Sequence, residues 1–229
     1  MKTVKTYQQK HDYLNTVSHA LGLVYALIGL PIIIYYACLT NEWRPIVGAV
    51  IFNLGMCTMY LTSTLYHSTN RKKVERRFMF RKFDHIAIYI FIAASYTPFI
   101  ITNLRTSGSY IVLILLWLCV LVGVFFKLKF TGKYKLVSTL AYAFMGWLGV
   151  FLLGPIWQNL DGFTISLLLV GGAFYSIGAV FYSTDKIKYN HFIWHLFILV
   201  ATFLHYLAVI NSIIAKKVIL FNNKLFNFT

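Results

Sequence analysis

Charged residues and cysteine are scarce in this 229-residue chain, and each scarcity excludes a class of protein. Only 12% of the residues are charged, against about 25% in a typical soluble domain, which argues against a water-soluble globule. The three cysteines, Cys38, Cys57 and Cys119, lie in apolar runs without pair spacing, so we expect neither a disulfide framework nor a cysteine zinc motif. Disorder is excluded as well, because 59% of the residues are hydrophobic and 18% are aromatic.

Acidic residues are the scarcest charged type, and the balance is strongly basic. The chain has 21 Lys and Arg against 6 Asp and Glu, which gives a formal net charge of +15. Such a charge could attract nucleic acid. The large apolar fraction favours a membrane with anionic headgroups instead, so we expect membrane lipids and no nucleic acid as partners.

Long apolar runs are what the chain has in abundance. A bilayer core requires about 20 apolar residues per helix, and seven stretches are close to that length. A chain this short could not cover seven apolar helices with polar surface, so we predict an all-α bundle of seven transmembrane helices forming one integral membrane domain over 1–229. The first run is too long for the core of a signal peptide, and we expect it to be an uncleaved anchor. The predicted spans are approximately 16–39, 46–68, 84–103, 109–126, 136–153, 164–183 and 190–215.

The loops predict the orientation of the bundle. The N-terminus and the loops after the second, fourth and sixth spans together hold sixteen of the 21 basic residues. Because basic loops stay on the cytoplasmic side, we expect the N-terminus in the cytoplasm and the C-terminus outside, the reverse of a G-protein-coupled receptor. Fixing topology and touching anionic lipid is a sufficient explanation for these basic loops.

Polar side chains within apolar spans are the candidates for function. His191 and His195 are four residues apart, so they share one helix face and could bind one metal ion. His67, at the same membrane depth on the second span, could supply a third nitrogen, and three histidines with an open fourth position are a catalytic zinc arrangement. Asp84 could accept a proton from a zinc-bound water, and Ser63 could stabilise an oxyanion or orient Asp84.

Each of these residues also has an ordinary structural explanation. Paired histidines often pack at helix interfaces, and Asp84 opens a helix beside basic residues, where the helix dipole favours a carboxylate. Ser63 could bond its own helix carbonyl, and His205, which lies deeper, could bond another helix. The arrival of His67, Asp84 and the histidine pair at one depth, from three spans, favours a metal site over these separate explanations.

At these residues the sequence resembles the hemolysin III family, the bacterial branch of the progestin and adipoQ receptor (PAQR) proteins, within a superfamily that includes the alkaline ceramidases. The combination of S-x3-H, a third-span aspartate and H-x3-H is specific, although each piece alone is weak. The matching motifs are Asn15 with Ser18-His19-Ala20-Leu21-Gly22, Ser63-Thr64-Leu65-Tyr66-His67, Phe83-Asp84-His85 with Ala94-Ser95-Tyr96-Thr97-Pro98-Phe99, and His191-Phe192-Ile193-Trp194-His195 with the later His205.

The resemblance implies a bacterial cell-membrane protein with a zinc near the cytoplasmic face. It implies that His67, His191 and His195 are the ligands and that Asp84 contacts the zinc through water. It also implies hydrolysis of a lipid amide or ester. Two positions depart from the family pattern: Asp12 stands in place of a glutamate before the first-span asparagine, and Phe192 replaces an acid. The second departure makes Asp84 more necessary and removes no ligand.

The sequence leaves several functions open. The first is a zinc-dependent lipid amide or ester hydrolase, and the second is a non-catalytic sensor or regulator of membrane lipid with a structural zinc. A pore-forming role, as in the family name, has little support, because seven fixed apolar spans permit no soluble form. Transport is equally weak, because few polar groups lie in the outer half. Whether the protein is an enzyme, which protein partners it has, and whether His19, His85 or His205 is functional stay open.

Overall fold

The computed structural model describes residues 2–184 and 186–226, with side chains for 7–184 and 186–218. Its regular structure over these residues is entirely helical. The fifth span is a composite, because a 3-10 turn at Leu148–Leu152 joins two shorter α-helices. The α-helices are α1 (Lys2–Cys38), α2 (Trp43–Ser68), α3 (Val74–Thr102), α4 (Ser107–Phe130), α5 (Lys135–Trp147), α6 (Leu153–Asn159), α7 (Gly162–Ser183) and α8 (Asn190–Phe226).

Seven of the helical segments are long and apolar enough to cross a membrane, which confirms the predicted all-helical class with seven spans. The segments extend past the charge-free stretches used for prediction. The third, for example, begins at Val74 rather than at residue 84. Its ten added residues, 74–83, include four Lys and Arg, whose long apolar stems can lie along a helix while the charge reaches water. The predicted orientation and single membrane domain stay predictions.

Small residues allow the helices around the site to approach closely. An added Cβ at Gly48 of α2 would lie 2.7 Å from the Pro98 backbone of α3, and one at Gly22 of α1 would lie 2.4 Å from the Tyr60 ring of α2. Close backbone approach replaces the hydrophobic effect as the source of helix association in lipid. As a result α2 packs between α1 and α3, while α8 packs against α1 and α7.

The outward surface of α4 and of the fifth span exposes large apolar side chains. Val122, Phe144 and Phe151 are each more than half exposed. A soluble protein would not present such a surface to water, whereas a lipid bilayer accommodates it. The buried polar side chains include Ser18 of α1, His67 of α2 and His195 of α8, which lie at the candidate site.

Candidate metal centre

Two helices bring the three predicted histidine ligands together. His67 lies in the last turn of α2, and His191 and His195 lie in the first two turns of α8. Nε2 of His191 is 3.2 Å from Nε2 of His67 and 3.1 Å from Nε2 of His195. One ring nitrogen from each histidine lies within 4.8 Å of the others, so the cluster could bind a metal ion.

The loop before α8 sets the position of its two histidines. Tyr189 has a left-handed backbone, with φ of 61°, and its carbonyl accepts the first helical hydrogen bond, from the Ile193 N–H at 2.9 Å. The Asn190 amide donates to the Thr184 carbonyl at 2.6 Å, which closes the loop. Because α8 begins at once after this turn, His191 and His195 occupy one face of its first turns and point toward α2.

The spacing and chemistry of the nitrogens fit zinc. A tetrahedral zinc with Zn–N bonds of about 2.05 Å separates its nitrogen ligands by about 3.3 Å, close to the two separations given above. Three imidazole nitrogens facing one another cannot all be paired by their own N–H groups, and a central cation removes the lone-pair repulsion. His195 and His67 are buried, at 0% and 6% exposed, whereas His191 is partly buried.

Ser18 of α1 determines which nitrogen of His195 faces the cluster. Its hydroxyl donates to the Asn15 carbonyl at 3.0 Å and lies 3.1 Å from Nδ1 of His195. Since the hydroxyl proton is already used, the network assigns the His195 proton to Nδ1, which donates to Ser18 Oγ. Nε2 then carries the free lone pair toward the other histidines, as a metal ligand requires.

Asp12 of α1 is a second acidic residue beside the site, in addition to the predicted Asp84. Its carboxylate accepts hydrogen bonds from Arg71 at 2.6 Å and from Arg77 at 2.9 Å. It also lies 3.8 Å from Nδ1 of His67, which makes no hydrogen bond. Asp12 thus joins α1 to the loop between α2 and α3 and places a negative charge behind one of the predicted ligands.

Of the two predicted catalytic residues, Ser63 lies one helical turn before His67 in α2, and Asp84 lies in α3. Asp84 is 8% exposed and Ser63 is 1% exposed. The buried Ser63 hydroxyl makes no hydrogen bond within the described part of the chain. Asp84 Oδ2 lies 3.8 Å from Nδ1 of His85, whose ring bonds the Arg81 carbonyl at 2.7 Å. Neither Asp84 nor Ser63 belongs to the three-residue cluster.

The remaining histidines have distinct surroundings. His19 is buried, and its ring stacks on His195 with centroids 3.6 Å apart, so it restricts the rotation of that ligand. His205 lies two to three turns deeper along α8, where Nε2 is 3.4 Å from the Leu168 carbonyl of α7 and Tyr175 meets its ring edge to face. This agrees with the expected role of His205 as a contact between helices.

Sequence reasoning missed the supporting roles of Asp12 and Ser18. Their signal was available, since polar residues recur in α1 at positions 11, 15 and 18 and at 12 and 19, which is the helical spacing of one face. The first charge-free stretch begins after Asp12, so a search of such stretches for metal-binding residues omits Asp12. The same search does not count Ser18 as a candidate ligand. A polar stripe entering a membrane span predicts a functional face even where none of its members is a ligand.

Comparison with known proteins agrees with this architecture. Residues 7–206 match the family described as "Haemolysin-III related". The chain is 38% identical over 190 residues to "Hemolysin-3" of Bacillus cereus, covering 83% of this chain and 86% of the relative. It is 36% identical to "Hemolysin-3 homolog" of Bacillus subtilis (strain 168), with 83% and 88% covered. "Monocyte to macrophage differentiation factor" of Homo sapiens is 32% identical over 201 residues, with 85% and 81% covered. The chain therefore belongs to the hemolysin III family.

Proposed function

We propose that this protein is a zinc-dependent hydrolase of a lipid amide or ester, embedded in the cell membrane. The observation that carries the proposal is the convergence of three imidazole nitrogens within 4.8 Å, two of them from the buried His67 and His195, in a bundle that also buries the Asp84 carboxylate and the Ser63 hydroxyl. A structural zinc site is closed by four protein ligands, whereas a catalytic one keeps an open position. Three histidines without a fourth ligand among the described residues favour the catalytic type.

The donor set favours zinc among the common metals. Imidazole suits zinc, whereas magnesium and calcium prefer oxygen ligands. His67, His191 and His195 would hold the ion through Nε2. When bound, zinc supplies a Lewis acid that polarises a carbonyl group and lowers the pKa of a water molecule to about 7.

Asp84 and Ser63 would perform the proton transfer. The Asp84 carboxylate would accept a proton from water and deliver it to the nitrogen or oxygen of the leaving group, as a general base and then a general acid. The Ser63 hydroxyl, without a hydrogen-bond partner in the described part of the chain, is free to donate to that carboxylate or to a developing oxyanion. Both groups are buried, so water competes little for them.

The site would lie at the cytoplasmic face of a bacterial cell membrane. The cluster is at the end of the bundle that holds Arg71, Arg77 and the start of α8, and most of the basic residues belong to loops at this end. Basic loops stay on the cytoplasmic side, which supports an inner-leaflet substrate.

Turnover by purified protein tests the hydrolase. Wild type, Asp84→Asn and Asp161→Asn would be reconstituted with equal zinc and offered a panel of lipid amides and esters, with released fatty acid measured. We expect turnover by wild type, a loss of at least about 100-fold in Asp84→Asn, as befits a missing general acid and base, and no loss in Asp161→Asn, whose carboxylate lies in the distant loop before α7. Full zinc occupancy with no turnover on any lipid would refute the hydrolase.

A non-catalytic lipid sensor with structural zinc is the second candidate. The observation that favours it is mechanical: the histidines join α2 to α8, and Ser18 ties α1 to the same cluster, so a bound ion would clamp three helices. In this case Asp84→Asn should keep its function in cells, while His67→Ala should lose both zinc and thermal stability. A pore-forming role, suggested by the names of the Bacillus relatives, ranks third and predicts lysis of red cells by the purified protein.

A further inference from the structure

A strongly basic cavity borders the metal centre. Its volume is about 360 Å³, and His67 and His191 form part of its wall. We name it the basic vestibule, after the six Lys and Arg side chains among its lining residues. These six are Arg71, Arg77, Arg81, Lys127, Lys133 and Lys135.

The charges of the basic vestibule are incompletely neutralised. Among the described residues, Asp12 is the one carboxylate in its wall, and its oxygens already accept hydrogen bonds from Arg71 and Arg77. Over the described residues, Arg81, Lys127 and Lys133 form no ion pair. The vestibule therefore holds an excess of positive charge beside a site that would itself contain a cation.

The burial of Lys127 is the strongest indication that the positive charge of the basic vestibule serves a function. Lys127 lies near the C-terminal end of α4, and its side chain is 1% exposed. Its Nζ donates a hydrogen bond to an uncharged partner, the Ser138 hydroxyl of α5. Arg81 lines the same cavity, so a second cation faces the space that Lys127 borders. Burying an ammonium group beside a second cation costs free energy unless an anion binds between them. Exposed lysines would fix the membrane topology equally well, so topology does not explain the burial of Lys127.

An apolar groove lies near the basic vestibule. Its volume is about 240 Å³, and it is lined by apolar side chains of α3, α4 and α5 that include Tyr89, Phe126 and Met145. Phe126 directly precedes Lys127, and the Tyr142 ring lies between the two spaces, 5.9 Å from Lys127 Nζ and 4.6 Å from the Tyr89 ring. An apolar groove and a cluster of cations thus meet at one turn of α4.

We propose that the basic vestibule binds a phosphate group, and that the phosphate belongs to a lipid whose chain lies in the adjoining groove. Arg and Lys are the residues that bind phosphate oxygens, Arg through paired N–H groups and Lys as a point charge. The substrate class of the proposed hydrolase is then an anionic phospholipid rather than a neutral lipid. The assignment of this lipid as a substrate rests on the proposed function. The assignment of a phosphate-binding site rests only on the residues that line the basic vestibule.

Binding by the full-length protein in detergent micelles tests the inference. The probes are a lysophosphatidic acid, a monoacylglycerol of the same chain, which lacks the phosphate, and inorganic phosphate, which lacks the chain. The test variant is Arg81→Gln with Lys127→Met. The matched control is Lys82→Gln with Lys129→Gln, which removes two charges from adjacent positions that do not line the vestibule.

We expect wild type to bind the lysophosphatidic acid at least about tenfold more tightly than either other probe, the size of one charge-assisted contact. The test variant should lose that advantage, and the control should keep it within about twofold. Equal binding of monoacylglycerol, or an unchanged test variant, would overturn the proposal. Inorganic phosphate binding as tightly as the lipid, with the same dependence on the variants, would overturn the lipid source and identify a free anion.

Two further measurements keep the result interpretable. Zinc content is determined on every sample, and we expect it to be unchanged in both double variants because neither removes a histidine. If the test variant does not fold, Arg81→Gln alone is used, with an expected loss of about threefold to tenfold for one contact. Lipid binding without turnover would refute the hydrolase and leave the phosphate site standing, whereas turnover of neutral lipids alone would overturn the assigned substrate class.

Discussion

Replacing Ser18 by alanine would test the assignment of His195 as a ligand held in one tautomer. The substitution removes the hydroxyl that lies 3.1 Å from His195 Nδ1. His195 is 0% exposed, so water cannot replace the lost oxygen, and the Nδ1–H is left with the backbone carbonyl of Asn15 as its acceptor. Loss of the group behind a ligating histidine weakens metal binding by about tenfold to 100-fold, and we expect Ser18→Ala to do the same to zinc.

Ser212→Ala is the matched control for this experiment. Ser212 is 2% and Ser18 is 3% exposed, and both hydroxyls donate to a carbonyl three residues earlier in their own helix. Only Ser18 also contacts a histidine. Zinc affinity would be measured by competition with a chelator of known affinity. Equal zinc affinity of the two variants, within about twofold, would refute the assigned hydrogen bond, since a tenfold change corresponds to about 1.4 kcal/mol.

Two more predictions concern helix packing and pH. Gly48→Ala would place a Cβ 2.7 Å from the Pro98 backbone and should destabilise the protein by about 1–3 kcal/mol. In Gly172→Ala the added Cβ meets nothing within 4 Å, so this substitution should be neutral or stabilising. Thermal unfolding in detergent checks both variants. Burial alone would raise the pKa of Asp161, but hydrogen bonds from the Thr164 side chain and from the backbone N–H groups of Thr164 and Phe163 outweigh it, so the pKa lies below its ordinary value of 3.8. A lowered pKa means that this carboxylate stabilises the fold at pH above about 4 and that the contribution is lost as the pH falls toward the folded-state pKa. The difference in melting temperature between wild type and Asp161→Asn should therefore shrink on acidification from about pH 6 to about pH 3, and a difference that does not depend on pH would contradict this.

The fold was largely predictable because the bilayer imposes a simple length rule. Seven apolar stretches were sufficient to predict seven spans, since every backbone polar group in lipid must be paired within a helix. The ends were less predictable. The third span begins ten residues before the predicted start at 84, because the segment from Val74 is helical although it is rich in basic residues. Charge marks where a helix leaves the hydrocarbon, and it does not mark where the helix ends.

The histidine cluster was predictable for a related reason. Spacing of four placed His191 and His195 on one face, and the alternation of spans brought His67 to the same end of the bundle. The contribution of α1 was not predictable in this way. Asp12 and Ser18 act through contacts with residues 55 or more positions away, and helical periodicity contains no information on which faces of different helices meet. The basic vestibule escaped prediction too, because loop lysines usually serve topology, and the burial of Lys127 becomes visible only in three dimensions.

Elemental analysis of the purified protein tests the central claim most directly. Zinc would be counted per chain in wild type, His191→Ala and Asp84→Asn, each purified without chelator. The arrangement of three converging histidine nitrogens predicts about one zinc per chain in wild type, little in His191→Ala because two ligands hold the ion poorly, and wild-type content in Asp84→Asn. Equal zinc in wild type and His191→Ala, or none in any of the three, would contradict a metal centre formed by His67, His191 and His195.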